Sequence, residues 1–262
     1  MSATNKKTVL ITGCSESGIG FALAKEFQAR GLHVFATARS VAKMAALEAL
    51  PDVTLLSLDV TSQASIDAAV AVVSAHTAGT LDCLVNNSGS QYVIPVIDAD
   101  LQQSKDMFEV NVWGVVATTN AFAPLIIAAK GSIVNIASIA GLIEGLRLEL
   151  KPFGVKVVTV ITGGVESNLF ANAPEHHLPA GSRYAVAEKE IGGRATGNGV
   201  GAQTISREAY ARSLVGDVLQ GVTGKVYRGK MATLVRLVTS LLPTSLIDTL
   251  SMSNTGLDRI KP

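Results

Sequence analysis

Only two cysteines, Cys14 and Cys83, occur in 262 residues, far apart and without the close spacing of metal ligands. No metal site is expected, and a reducing, intracellular setting follows. No sign of charge dominates. Twenty-two basic residues face 21 acidic ones, for a formal net charge of +1. That removes the electrostatic case for nucleic acid or for an acidic membrane surface. The start, MSATNKK, lacks the apolar run of a signal peptide, so a cytoplasmic location is expected. No internal repeat, low-complexity tract or linker is visible. Tyrosine is scarce: there are four, and none between Tyr92 and Tyr184.

What is present is apolar and rhythmic. Hydrophobic residues make up 48% of the chain and glycines number 24, as in a globular α/β domain. Short β-rich runs at residues 8–11, 33–38, 53–60, 81–87, 131–138 and 155–162 alternate with stretches at helical spacing. The alternation predicts an α/β fold with a doubly wound, Rossmann-like parallel sheet. Residues 1–228 are read as one nucleotide-binding domain. Residues 229–262 are read as an apolar C-terminal extension.

"TGCSESGIG" (12–20) follows a strand and opens a helix, the context in which a glycine pattern gains meaning. Gly13 allows a tight turn, Gly18 lets backbone approach a pyrophosphate, and Gly20 lets helix pack on strand. The phosphates would sit at the positive end of the helix. An ordinary glycine-rich βα turn is the other reading. At the end of the second strand, where an NAD site carries an acid, the chain reads "ATARS" and presents Arg39. A guanidinium suits a 2′-phosphate that a carboxylate would repel, so NADP(H) is the expected cofactor. A solvated surface arginine is the alternative.

Taken together, "TGCSESGIG", "LDV" (58–60), "NNSG" (86–89), "NVWG" (111–114), "IVNIASIAG" (133–141) and "ITGGV" (161–165) resemble the classical short-chain dehydrogenases/reductases over nearly the whole chain. The resemblance implies a nicotinamide dinucleotide held by Ile11, Thr12, Gly13, Ser15, Gly18, Ile19 and Gly20. It implies that Asp59 and Val60 contact the adenine and that Asn87 holds cofactor and sheet. Thr162, Gly163, Gly164, Val165 and Ser167 would form the loop at the nicotinamide end. Ser138 would hydrogen-bond a substrate carbonyl, and Asn111 would order a water in a proton relay. "NNSGSQYVIPVID", "RLELKPFGVKVVTVITGGVESNLF" and the ending "TGLDRI" are similar to the fungal acyl-dihydroxyacetone-phosphate reductase-like branch. That branch implies a ketone or alcohol substrate, a lipid ketone among them.

The same family needs YxxxK on the helix after the serine strand. Its tyrosine protonates the carbonyl, and its lysine lowers the tyrosine pKa and holds the nicotinamide ribose. Residues four apart share a helix face, and a free tyrosine, with a pKa of about 10, needs a nearby cation to work near neutrality. Here "IAGLI" runs directly into "EGLRLELKPFGVKV", and the motif is missing, with the break at residues 143–145. A strand of five or six residues spans roughly 17–20 Å, and the crossover must run back along it. A helix over 144–151 covers only about 12 Å. A truncated crossover after strand 5 is therefore expected, which argues against a homo-oligomer formed through the family's dimer helix. Tyr184 has Lys189 five residues on, the wrong step for one helix face, and Tyr92 is read as lining the substrate entrance. His176 and His177 are read as a solvated loop.

The run 231–250 is apolar but carries Arg236, Pro243 and Asp248, too interrupted for a membrane span. It either closes an apolar substrate pocket or attaches peripherally to a lipid surface, such as the endoplasmic reticulum or lipid droplets.

Overall fold

A computed structural model of the chain describes residues 6–137, 147–173, 176–197, 204–252, 255–256 and 259–260. Seven parallel strands form one sheet: β1 (Thr8–Ile11), β2 (His33–Ala38), β3 (Val53–Ser57), β4 (Cys83–Asn86), β5 (Ser132–Ala137), β6 (Lys156–Thr162) and β7 (Gly224–Arg228), in the order β3-β2-β1-β4-β5-β6-β7. β1 and β2 keep the bounds the sequence pattern suggests, while β3, β4, β5 and β6 are shorter by one to three residues. β3 stops at Ser57, so Leu58, Asp59 and Val60 lie beyond it.

Helices cover both faces, and the strand sequences show why. Side chains alternate between faces along a strand, so a strand buried on both sides must be apolar throughout. In β1, Val9 and Ile11 join one core cluster while Leu10 joins the other. In β6, Val158 and Val160 face one way and Val157 the other. The first cluster is closed by α1 (Ile19–Ala29), through Leu23 and Phe27, and by α7 (Arg207–Leu219), through Leu214 and Val215. The second is closed by α3 (Gln63–Thr77), through Ile66 and Val73, and by α5 (Gly114–Ala129), through Phe122 and Ile126. Each such side chain contributes roughly 1.5–3 kcal/mol by leaving water.

The remaining helices are short. Residues 41–48 form a 3₁₀ turn (Val41–Met44) and a single helical turn, α2 (Ala45–Glu48). α4 (Leu101–Phe108) starts on Asp100, whose carboxylate accepts from Gln103 N–H at 2.8 Å. It runs through a π-helical turn (Glu109–Trp113) into α5. This continuous stretch, Leu101–Ala129, is apolar and long enough to cross a membrane by length and composition alone. Its apolarity matches the side of α5 that packs on the sheet. α6 (Glu188–Ala195) lies in the long segment between β6 and β7.

Between β5 and β6 the described residues hold one helical turn, 147–150, and a 3₁₀ turn, Lys151–Phe153. The expected break at 143–145 lies outside the described residues. After β7 the apolar run forms two helices, α8 (Ala232–Leu241) and α9 (Thr244–Met252), parted at Leu242 and Pro243. Ala232 is buried, Arg236 stacks over the Tyr227 ring at 5.0 Å, and Leu234, Val235, Leu237 and Leu241 are exposed.

Burial pushes both cysteine thiols up to about 12, so neither is a reactive thiolate at neutral pH. At the opposite end of the sheet from the strand C-termini, His33 stacks on His76 with ring centroids 4.3 Å apart, and its Nε2 lies 2.9 Å from Thr54 Oγ1. Burial first, then the His76 and Lys6 charges, lower the His33 pKa, and Asp52 offsets them in part. A folded-state pKa below the unfolded one means that the unfolded chain takes up the proton first as pH falls. Stability should thus be full above the ordinary histidine pKa of about 6.5 and decline below it. Urea midpoints at pH 7.5 and 5.5 check this: the drop for the unaltered chain should exceed the drop for His33→Phe, and equal drops would refute it.

Candidate active site

In a doubly wound sheet, ligands bind beyond the strand C-termini where the connections change direction. That point lies between β1 and β4 here. The chain leaves β1 through Thr12 and Gly13 and leaves β4 through Asn87 and Ser88, and the two exits are knit together. Asn87 N–H and Ser88 N–H both donate to Thr12 Oγ1 at 2.9 Å. The Asn87 carboxamide donates to the carbonyls of Thr12 at 2.8 Å and Gly13 at 3.0 Å. Thr12 is 1% exposed, so its hydroxyl is a buried hub.

The glycines are there for space. Gly13 has φ +75°, and a Cβ on it would lie 3.0 Å from Ser88 Cα. A Cβ on Gly20 would lie 2.4 Å from the Gly13 carbonyl oxygen and 2.5 Å from Asn87 Nδ2, so helix and turn meet as closely as backbone allows. α1 begins after Gly18 with no side-chain cap and no acid in its first turn. Its positive end is left to an anionic ligand, which fits a dinucleotide pyrophosphate held over Ser15, Gly18, Ile19 and Gly20.

Arg39 follows the last residue of β2 and is exposed, and its carbonyl accepts from Ser57 Oγ on the neighbouring strand at 3.3 Å. Asp59 accepts from Thr61 N–H at 3.0 Å and Thr61 Oγ1 at 2.7 Å. Partial burial would raise its pKa, but these bonds and the Arg39 charge outweigh that and hold it below the ordinary value. Val60 is buried against Gly114, where a Cβ would come within 2.8 Å of Val60 Cγ2. Arg39, Asp59 and Val60 thus ring the sheet edge beside the glycine turn.

The other end of the site is less complete. Asn111 sits on the π-helical turn, a feature that recurs at functional sites. Its amide oxygen accepts from Ser90 N–H at 2.8 Å and its amide nitrogen donates to the Ser90 carbonyl at 2.7 Å. One N–H and one lone pair remain for an ordered water. Ser138 follows Ala137, the last residue of β5, and lies outside the described residues. Gly163 packs so closely on the chain after β7 that a Cβ would sit 2.2 Å from the Lys230 carbonyl oxygen. Gly164 exchanges backbone hydrogen bonds with Lys230, both at 3.0 Å. Val165 is buried, and Ser167 is half-buried.

Several contacts have no simple signal in the sequence. Asn86 Nδ2 donates to Asn135 Oδ1 at 2.7 Å and to Thr119 Oγ1 at 3.1 Å, a buried polar tie across β4, β5 and α5. Only the doubled asparagine in "NNSG" hints at it. Thr162 Oγ1 lies 2.7 Å from the hydroxyl of Tyr210, a side chain buried on α7. Burial pushes the Tyr210 pKa up to about 12, the Thr162 bond pulling weakly the other way. Asn168 reaches back to the Glu16 carbonyl and Arg207 to the Ser17 carbonyl, both on the glycine turn.

His176 departs from its expected solvated loop. Its ring is half-buried, Nδ1 lies 3.2 Å from the Val93 carbonyl, and Nε2 is sealed off without a partner among the described residues. It packs there because Gly192 leaves room: a Cβ on that residue would come within 3.2 Å of the ring. His177 is exposed, as expected. Both line a cavity of about 200 Å³ with Tyr92 and Gln103. The Tyr92 hydroxyl accepts from Asp100 N–H at 3.0 Å. No group of three metal-ligating side chains occurs among the described residues.

Comparison with known proteins accords with this geometry. The family model for short chain dehydrogenases matches residues 7–145. The short-chain dehydrogenase ptmH of Penicillium ochrochloron is 45% identical over 271 residues, covering 96% of this chain and 99% of that protein. The NADPH-dependent 1-acyldihydroxyacetone phosphate reductase of Schizosaccharomyces pombe is 38% identical over 209 residues, covering 71% of this chain and 70% of that one. A short-chain dehydrogenase from Streptomyces avermitilis superposes with a TM-score of 0.77 at 28% identity, covering 96% of each chain. The parallel sheet, the glycine turn locked to Asn87 and these matches place the chain in the short-chain dehydrogenase/reductase family of oxidoreductases.

Proposed function

We propose that the chain is, by lineage, an NADP(H)-dependent oxidoreductase that interconverts a ketone, a lipid ketone among them, and a secondary alcohol. The carrying observation is an intact dinucleotide cradle with Arg39 where an NAD site places an acid. The S. pombe relative, by its name, uses NADPH on a lipid-derived ketone, which supports the same reading. NADP(H) would lie over the glycine turn with its 2′-phosphate at Arg39. The protein's part is to bind and orient it beside the substrate carbonyl, while the cofactor supplies the hydride. Exposed leucines on α8 support a peripheral lipid contact for an otherwise cytoplasmic protein.

A second reading is that of a catalytically impaired, nucleotide-binding relative or shortened gene product. No tyrosine in the chain has a lysine four residues on: Tyr92, Tyr184, Tyr210 and Tyr227 are followed there by Val96, Glu188, Leu214 and Met231. The alignment lengths support it. The match to the Penicillium protein is 271 positions long yet takes in 96% of a 262-residue chain, about 252 residues, so about 19 positions face no residue here. The family match also stops at residue 145, beside the expected break.

Titration of purified protein with NADPH and NADH tests cofactor choice. NADPH should bind more tightly, and Arg39→Asp should weaken NADPH by roughly tenfold or more, as loss of a charge-assisted phosphate contact predicts, while sparing NADH. Equal affinities in the unaltered chain would remove Arg39 from the site.

A further inference from the structure

Ser17, on the glycine turn, has φ +63°, a left-handed conformation that a residue with a Cβ adopts at a cost. Around it the turn is gripped from three sides. Glu16 N–H donates to the Lys43 carbonyl at 2.8 Å, and the Glu16 carboxylate accepts from Ala46 N–H at 3.1 Å. From the segment after β6, Asn168 Nδ2 donates to the Glu16 carbonyl at 2.9 Å. From the start of α7, Arg207 Nη1 donates to the Ser17 carbonyl at 2.7 Å.

Arg207 is poorly placed for its own helix. It occupies the first helical position, where the positive end of the helix disfavours a cation, and its ion pair with the neighbouring Glu208, at 3.2 Å, is largely exposed. Its shorter bond, at 2.7 Å, runs instead to a residue 190 positions away, at the strained point of the turn. We propose that Arg207 is a positioning residue that locks Ser17 in its left-handed conformation and so holds the glycine turn in the shape that receives the cofactor phosphates. Asn168 supports the neighbouring peptide, which ties the loop expected at the nicotinamide end to the pyrophosphate end. The proposal deepens, and rests on, the reading of this turn as a dinucleotide site.

The test uses the full chain. Arg207→Met keeps the aliphatic stem of a side chain that is 29% exposed, so the fold should persist, as far-UV circular dichroism would verify. Affinities for NADPH and NADH, read from cofactor fluorescence, should both fall about tenfold, because the phosphates over the turn are common to the two. Amide hydrogens of residues 15–20 should exchange faster. Adding Ser17→Gly, which adopts positive φ without strain, should restore both affinities in the Arg207→Met background, an effect that general loosening would not produce. Unchanged affinities, a loss confined to NADPH, or no rescue by Ser17→Gly would each overturn the proposal. If the unaltered chain binds neither cofactor, the dinucleotide reading itself falls. The exchange rates then decide separately whether Arg207 holds the turn: unchanged rates would reject that as well.

Discussion

Inserting a helix start that carries a tyrosine and, four residues on, a lysine between Ile143 and Gly145 is expected to raise NADPH-dependent ketone turnover by roughly 10²–10⁴-fold, the usual worth of positioned acid–base help. The expectation follows from what the present tyrosines can do. Tyr210 is buried on α7 with its hydroxyl paired to Thr162, and burial pushes its pKa up to about 12. The Tyr92 hydroxyl is bonded to Asp100 N–H, and the Tyr227 ring lies beneath Arg236. None has a lysine one helical turn on to favour its anion. On the proposed reading, slow hydride transfer with water as the proton donor would remain, assisted by Ser138 and Asn111 in the roles the resemblance implies. NADPH oxidation over a panel of lipid ketones, for the chain as it stands and for the repaired chain, is the measurement. Ser138→Ala should then abolish the gain. Full activity without repair would overturn the argument and make Tyr92 and Tyr184 the first residues to replace.

Gly20→Ala should abolish measurable cofactor binding while leaving a folded, weakened protein. The added methyl would lie 2.4 Å from the Gly13 carbonyl oxygen and 2.5 Å from Asn87 Nδ2. Neither is the free end of a flexible side chain. The first is backbone, and the second is held by two hydrogen bonds to the turn itself. Relief requires α1 to move off β1 or Asn87 to release the turn, and either displaces the phosphate cradle. Overpacking of this kind costs roughly 1–3 kcal/mol of stability. The natural control is Gly216→Ala, in the interior of α7, where a Cβ would meet nothing within 4 Å and φ is ordinary. That change should raise stability by up to about 1 kcal/mol through helix propensity and leave affinity alone. Parallel urea melts and NADPH titrations of the two variants decide the matter. Tight binding by Gly20→Ala would mean that the turn is not the cradle.

The amino-acid sequence alone determined the architecture and marked the turn at which the candidate site lies. Continuous apolar strands such as TVLI and HVFATA must be buried on both faces, and only a parallel sheet with helices on each side does that. A glycine turn between strand and helix, with "NNSG" downstream, located the point where β1 and β4 diverge. Local chemistry of this kind is legible because its period and its glycines are written in adjacent residues. That no tyrosine has a lysine four residues on was equally legible, since folding does not alter the order of residues along the chain. Tertiary structure decided what depends on residues far apart meeting. The sequence does not show that Arg207 and Asn168 grip Glu16 and Ser17, or that Asn86 pairs with Asn135 across the sheet. A polar loop reads as solvated until packing is known, yet His176 folds inward because Gly192 leaves space for its ring. Those contacts belong to the register of the sheet and the packing of α6 and α7 on it, which no short window of sequence contains.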